Sequence, residues 1–114
     1  MAVFGMVRGG TGGGDITCKC GKTTTSLSDV TVNNYLTEDV GFQPSYIAFC
    51  IRNTTTYGTM LTYENGTATM YYYHNNQEVE QDITSNNLIE VTSTGFKLVR
   101  NSASWTRAYY MAIK

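Results

Sequence analysis

The sequence predicts an all-β protein, built as a single antiparallel β-sandwich of the jelly-roll or immunoglobulin-like kind. β-Branched and aromatic residues, which favour strands, are plentiful along the chain, and no stretch has the periodicity of an amphipathic helix. Turn signals recur roughly every eight to twelve residues, which is the spacing typical of sandwiches and barrels. The chain of 114 residues is long enough for one domain with a core of its own.

The chain begins with a segment that we predict to be an arm, residues 1–15, ahead of the sandwich at residues 16–114. Its tip is apolar and is followed by a flexible, glycine-rich tether at residues 8–14. The tip residues assigned to assembly are Val3, Phe4, Met6 and Val7. Because such side chains are poorly solvated alone, the tip could add a strand to a neighbouring subunit or dock in a groove. The alternative is a frayed terminus.

The first half of the sandwich is predicted from short strand-like runs and one long apolar run. Residues 16–20 and 29–36 are predicted strands, Gly21 is predicted to turn the chain, and residues 37–40 are predicted to be a loop. Residues 45–52 are apolar on both parities, which is the pattern of a central strand covered on both sides. A small sandwich covers only one side of each sheet, so we expect another subunit to cover the other side of this strand.

The second half contains the strongest hairpin signal in the chain, Asn65-Gly66, which predicts a type I′ turn. Residues 74–77 are predicted to turn again, and residues 101–105 are predicted to form the last loop. The predicted strands around these turns are residues 57–63, 68–73, 78–83, 88–91, 94–100 and 108–114.

Two Gly-Phe pairs introduce apolar strands, at residues 41–42 and 95–96. Glycine is expected to allow a turn with positive φ, and phenylalanine is expected to close one end of the core. Pro44 stands where a strand can begin without losing a hydrogen bond of the ladder.

The same residues carry a resemblance to a known group of proteins. It rests on three motifs in order, which are Gly41-Phe42-Gln43-Pro44-Ser45-Tyr46-Ile47, Thr94-Gly95-Phe96-Lys97-Leu98 and Tyr109-Tyr110-Met111-Ala112-Ile113. In this order the chain resembles small β-sandwich modules of tailed-bacteriophage virion proteins, found in tail fibres, receptor-binding proteins and related appendages. The resemblance covers residues 41–114. It implies a sandwich in a virion, assembled in the host cytoplasm, and it brings no catalytic residues.

Composition and charge exclude several classes of function. Hydrophobic residues make up 41% of the chain, charged residues make up 15%, and the formal net charge is −1. A nearly neutral chain lacks the basic surface of a nucleic-acid binder, so we expect no nucleic-acid partner. No apolar run reaches the roughly eighteen residues of a membrane span, and the first residues lack the apolar core of a signal peptide. We therefore expect no membrane insertion and synthesis in a cytoplasm.

The three cysteines are Cys18, Cys20 and Cys50. An odd count with this close spacing argues against a disulfide framework. Cys18 and Cys20 would share a face if their segment is a strand, and Cys50 is expected to be a small core residue. A zinc site would need a fourth ligand, and His74 is the single histidine. We expect reduced thiols, no metal and no cofactor.

The sequence offers little catalytic chemistry. His74 stands in a polar turn, so we interpret it as a surface residue and expect no enzyme activity. Glu78, Glu80 and Asp82 alternate along a predicted strand and would share one face. They could bind calcium or form an acidic patch, although a solvated sheet edge is the simpler interpretation.

Charged residues are unevenly distributed along the chain. Between Arg52 and Lys97 every charged residue is acidic, and after Glu90 every charged residue is basic. This order suits pairing between copies of the chain. The alternative is that the two groups lie on neighbouring strands of one monomer.

Aromatic residues exceed what one small core can absorb. The candidate ligand or interface aromatics are Tyr57, Tyr63, Tyr71, Tyr73, Trp105 and Tyr109, and we also expect Tyr110 to be exposed. Tyrosine and tryptophan are favoured at protein interfaces, and they also stack on sugar rings in glycan-binding proteins. The loops that hold Tyr57 and Trp105 are the predicted ligand surface.

These observations support two hypotheses of different classes. The first is a non-enzymatic structural component of a tailed-phage virion, in the tail, baseplate, fibre or decoration, that forms homo-oligomers of three or more copies and docks to other virion proteins. The second is a receptor- or carbohydrate-binding module whose loop aromatics contact a host-surface glycan.

Overall fold

The computed structural model describes residues 7–9, 16–54 and 58–114. Within these residues ten strands form two antiparallel sheets that pack against each other, which confirms the predicted all-β sandwich. The strands are β1 (Val7–Gly9), β2 (Ile16–Lys22), β3 (Tyr35–Asp39), β4 (Tyr46–Asn53), β5 (Thr59–Glu64), β6 (Thr67–His74), β7 (Gln77–Asp82), β8 (Ile89–Val91), β9 (Gly95–Val99) and β10 (Trp105–Ile113). Two single 3₁₀ turns, Leu27–Asp29 and Thr84–Asn86, are the helical segments of this part of the chain.

The two sheets differ in size. The larger has seven strands in the order β1-β2-β10-β4-β5-β6-β7, and the smaller has three in the order β3-β9-β8. Strand β4 lies between β10 and β5, so the expectation that it is a central strand is confirmed.

Strand β1 joins the larger sheet from within the predicted arm. Its Val7 lies opposite Cys18 and its Gly9 lies opposite Ile16 of β2. The backbone of Arg8 and Gly9 therefore belongs to a paired strand, although both residues were predicted to be tether. The other tip residues, Val3, Phe4 and Met6, lie outside the described residues.

Asparagine-rich turns fix the hairpins of β5, β6 and β7. Asn65 and Gly66 have φ angles of 47° and 92°, and the type I′ turn predicted there is confirmed. Asn75 and Asn76 have φ angles of 52° and 61°, so the next turn has the same handedness. Asparagine tolerates this left-handed region better than most residues, which explains why both turns could be predicted.

Three predictions before β4 are wrong. The strand predicted over residues 29–36 is present only at its end, because Asp29 belongs to a 3₁₀ turn and β3 begins at Tyr35. Gly21 does not turn the chain, because β2 continues through Gly21 to Lys22 and pairs with β10. The strand β3 covers Tyr35–Asp39, where a loop was predicted from Thr37 onward. Glu38 is buried there, and its carboxylate accepts hydrogen bonds from the backbone N–H and the hydroxyl of Thr24 at 2.8 and 3.1 Å. This distant partner allows an acidic residue to lie inside a strand.

The core lies between the two sheets and is centred on three aromatic rings. Phe96 of the smaller sheet contacts Phe49 and Tyr110 of the larger sheet edge to face, with ring centroids 5.0 and 5.2 Å apart. Burial, and then the nearby Glu38 carboxylate and Cys20, raise the pKa of Tyr110 to about 12. Trp105 and Tyr110 are both buried, so the expectation that they belong to an exposed aromatic surplus is wrong.

The two Gly-Phe pairs serve the fold in different ways. Both phenylalanines are buried, as expected. Gly41 has a φ of 87°, which confirms the predicted turn with positive φ. Gly95 instead pairs with β3, and a Cβ there would overlap the carbonyl oxygen of Glu38 and lie 2.9 Å from its carbonyl carbon. Glycine is required at that position because two backbones approach closely.

Candidate functional site

One face of the larger sheet covers the core and the opposite face is open in the single chain. In β4 the side chains of Ile47, Phe49 and Ile51 are buried against the smaller sheet. The alternate side chains of Tyr46 and Ala48 are half-buried, and Cys50 is exposed. We call this second side, formed by the outward side chains of β2, β10, β4, β5, β6 and β7, the outer face.

Most of the large hydrophobic side chains that the described residues expose lie on the outer face. Met60 is 40% exposed and Tyr73 is 46% exposed, and Tyr71, Tyr109 and Met111 are similarly accessible. Cys50 lies among them, so the prediction that it is a core residue is wrong. The side chains on both sides of β4 are apolar, so the sequence alone could not decide which side faces the core.

Strand register aligns six outward side chains in one row across the sheet. Lys22 pairs with Tyr109, and Tyr109 pairs with Cys50. Cys50 then pairs with Met60, Met60 with Tyr71, and Tyr71 with Glu80. We call this sequence, Lys22–Tyr109–Cys50–Met60–Tyr71–Glu80, the central row.

The two ends of the outer face carry opposite charges. The basic end has Lys22 on β2 and Arg107 on β10, and Arg52 lies beside them on the central strand β4, all exposed. The acidic end is β7, with Glu78, Glu80 and Asp82 on the same side as Tyr71 and Tyr73. The phenol of Tyr73 donates a hydrogen bond to Glu78 at 3.2 Å.

Strand β7 has the properties of a charged sheet edge. It is the last strand in the sheet order and none of its residues is buried. The hydroxyl and the backbone N–H of Thr84 lower the pKa of Asp82. Within the described residues no group of three or more histidine, cysteine, aspartate or glutamate side chains is placed to hold a metal ion.

Part of the acidic-then-basic charge order is used within the monomer. Lys97 lies 3.2 Å from Glu90 on the neighbouring strand and 4.9 Å from the ring centre of Tyr35. Glu90 raises the pKa of Lys97. Arg100 donates hydrogen bonds to the carbonyl oxygens of Val30, Ala103 and Trp105 at 2.7–2.9 Å. These residues stabilise the smaller sheet and the last loop, away from the outer face.

Cys18 and Cys20 lie on the same side of β2, as predicted, with their sulfur atoms 3.7 Å apart. Both are free thiols and half-buried. Burial, and then Cys20, raise the pKa of Cys18 above its ordinary value. A raised pKa keeps the thiol protonated and makes it a poor nucleophile at neutral pH.

The structure separates the aromatic residues that the sequence grouped together. Tyr71, Tyr73 and Tyr109 lie on the outer face, whereas Tyr63 packs against the core and Trp105 is 4% exposed. Trp105 instead lines a cavity of about 320 Å³ together with Asn53, Tyr72, Asn101 and Ser104. Tyr57 lies outside the described residues.

Sequence reasoning missed Met60, Met111 and Arg52 as parts of the outer face. A signal for Met60 was present. The Asn65-Gly66 turn fixes the register of the hairpin, and neighbouring residues of a strand point to opposite faces, so Met60 points away from the face that the apolar Leu61 occupies. A groove of about 750 Å³ opens beside Met60 and is lined by Cys50, Tyr71, Tyr73, Glu78 and Glu80 among others.

Comparison with known proteins gave no match: no family model fits the sequence, and no curated protein or solved structure is significantly similar to the chain. None of the helical segments in the described residues is long and apolar enough to cross a membrane.

Proposed function

We propose that this chain is a non-enzymatic structural component of a tailed-phage virion that acts by assembly, through the outer face with copies of itself and by docking to other virion proteins. The observation that carries the assembly role is the contiguous set of exposed apolar side chains on one sheet face, with Met60 near its centre. Soluble monomers rarely expose apolar patches of this kind, which commonly mark interaction sites.

The virion setting of the proposal rests on the resemblance over residues 41–114. The motif residues that carry it are mostly in the core: Phe42, Ile47, Phe96, Tyr110 and Ala112 are each buried. They specify the sandwich, and the outer face supplies the means of assembly. The absence of catalysis is part of the same proposal, since His74 is an exposed residue at the end of β6.

Sedimentation of the full chain at micromolar concentration tests the assembly role. We expect a species heavier than the 12.6 kDa monomer, and we expect Met60→Glu to dissociate it by placing a charge at the centre of the outer face. Tyr35→Ser is the matched control, because Tyr35 is 53% exposed on the smaller sheet. A wild-type chain that stays monomeric at every concentration would overturn the proposal.

A second candidate is a module that binds a host-surface glycan. The groove beside Tyr71 and Tyr73 places aromatic rings next to the carboxylates of Glu78 and Glu80, a combination that can stack on a sugar ring and accept its hydroxyl hydrogen bonds. Screening the full chain on a glycan array tests this. Binding by a monomeric chain, lost in Tyr73→Ala and kept in Tyr35→Ala, would favour it over assembly.

A further inference from the structure

We propose that two copies of this chain pair outer face to outer face, about a two-fold axis that runs parallel to the strands between β4 and β5. This inference rests on the proposed assembly role, and it names the partner as a second copy and the geometry as isologous. The order of the side chains in the central row favours this geometry.

The central row has complementary halves. From one end it presents a cation, a tyrosine and a thiol, and from the other an anion, a tyrosine and a thioether. A half-turn about an axis along the strands exchanges the two ends and keeps the row at the same level. Lys22 then meets Glu80 of the partner subunit, Tyr109 meets Tyr71 of the partner subunit, and Cys50 meets Met60 of the partner subunit.

The same half-turn also places compatible side chains opposite each other in the rows on either side of the central row. In the row with Arg107, the arginine meets Tyr73 of the partner subunit, beside Glu78 of the partner subunit. In the row on the other side, Asp82 meets Cys20 of the partner subunit and Ala48 meets Thr62 of the partner subunit. Nearer the axis, Arg52 faces Gly58 of the partner subunit and Tyr46 faces Glu64 of the partner subunit, so no two like charges of the described outward residues stand directly opposite each other, and Arg52 approaches its own copy only diagonally across the axis.

Charge selects this axis over the other two-fold arrangement. A half-turn about an axis across the strands, at the level of the central row, would place β7 over the partner's β7, so that Glu80 faces its own copy and Glu78 faces Asp82 of the partner subunit. Like charges that face each other across an interface strongly oppose association, which is how interfaces reject wrong pairings. The favoured axis leaves the strands of the two sheets nearly aligned, which is the usual geometry when sheets pack face to face.

The centre of the face suits close packing against a copy of itself. Met60 and Met111 are flexible and polarisable, so they can fill the irregular space between two pleated surfaces. A protein of unrelated sequence would have no reason to match a cation at one end of the row with an anion placed symmetrically at the other. The two-ended charge pattern therefore favours a second copy as the occupant.

Charge reversal at the two ends of the central row tests the pairing. We expect Lys22→Glu and Glu80→Lys each to weaken self-association by at least about tenfold at low salt, because each creates two like-charge contacts per dimer. An equimolar mixture of the two single variants should associate more tightly than either alone, because each mixed pair restores both attractive contacts. Sedimentation equilibrium measures the association constants of the two single variants and of their mixture.

The control is a double exchange on the opposite side of the sandwich, Glu90→Lys with Lys97→Glu. It reverses the same types of charge within the pair that lies 3.2 Å apart in the smaller sheet of the wild type, and it should leave association unchanged. Far-ultraviolet circular dichroism and thermal melting of each variant confirm that the chain is folded.

The outcomes separate this inference from the proposed function. Single variants that self-associate weakly, together with a mixture that associates tightly, support the pairing. An oligomeric wild type whose association is unchanged by both reversals, or a mixture no tighter than its components, overturns the pairing and leaves the assembly role standing. A wild-type chain that is monomeric throughout overturns both.

Discussion

At the scale of single residues, the two Gly-Phe pairs show that one dipeptide can be required for two physical reasons. Gly41 has a positive φ and open space around the position of a Cβ. Gly95 has no room, because the backbone of Glu38 lies against it. A side chain at Gly41 would therefore strain one residue, whereas a side chain at Gly95 would separate β3 from β9.

We predict that Gly95→Ala lowers the free energy of unfolding by about 3 kcal/mol, because the strand pair must open to admit the methyl group. Gly58→Ala is the control, since its Cβ would lie 3.6 Å from the carbonyl oxygen of Ile51 in ordinary contact, and it should change stability by less than about 0.5 kcal/mol. Urea unfolding measures both. Equal losses would show that the close approach at Gly95 can relax.

We predict that stability falls above pH 10 in part through Tyr110. Its folded-state pKa is raised from 10.0 to about 12 by burial, then by Glu38 and Cys20. Below pH 10 both states keep the phenol proton, whereas between the two pKa values the unfolded state loses it and the folded state retains it. The unfolded state is then favoured increasingly as pH rises. Urea midpoints of Tyr110→Phe should fall less steeply than wild type over this window, and Tyr35→Phe should behave like wild type.

At the scale of elements, local chemistry was predictable from the sequence and non-local contacts were not. The Asn65-Gly66 turn follows from backbone preferences of its own residues. Strand β3 was missed because its acidic Glu38 depends on Thr24, fourteen positions away. The outer face was anticipated only in part: Tyr71, Tyr73 and Tyr109 were candidates, but which parity of each strand faces the core is decided by the second sheet.

We predict that deleting residues 1–14 leaves the sandwich folded and impairs assembly. The core cluster of the described residues runs from Leu27 to Ala112, whereas β1 contributes a three-residue pairing at the edge of the sheet. The apolar tip of the arm would be lost as a contact for other chains. Circular dichroism and sedimentation measure the two effects separately. An unfolded truncation, or one that assembles like the full chain, would contradict this prediction.

At the scale of the whole molecule, the unequal sheets explain why a face remains open. A three-stranded sheet covers one side of the seven-stranded sheet, and the other side has no layer of its own within the described residues. The charged edge strand β7 discourages addition of further strands on that side, so contact through the outer face is favoured over contact through this edge.

We predict that alkylation of Cys50 slows as protein concentration rises. Cys50 is exposed at the centre of the outer face in the single chain, and face-to-face contact would exclude the reagent from it. Mass spectrometry of iodoacetamide-treated protein measures the rate at Cys50, and the Lys22→Glu variant, in which the pairing is weakened, serves as the control because its Cys50 rate should depend less on concentration. A Cys50 rate that is independent of concentration would contradict burial of this face.

The order of side chains in the central row also has a consequence for stoichiometry. An isologous contact uses the same surface on both subunits. No outer face is then left free to bind a third chain, so association through this face stops at two chains. Any larger particle built from such pairs contains an even number of copies, and a ring of three would require a different surface. Native mass spectrometry of the intact assembly would therefore count copies in steps of two.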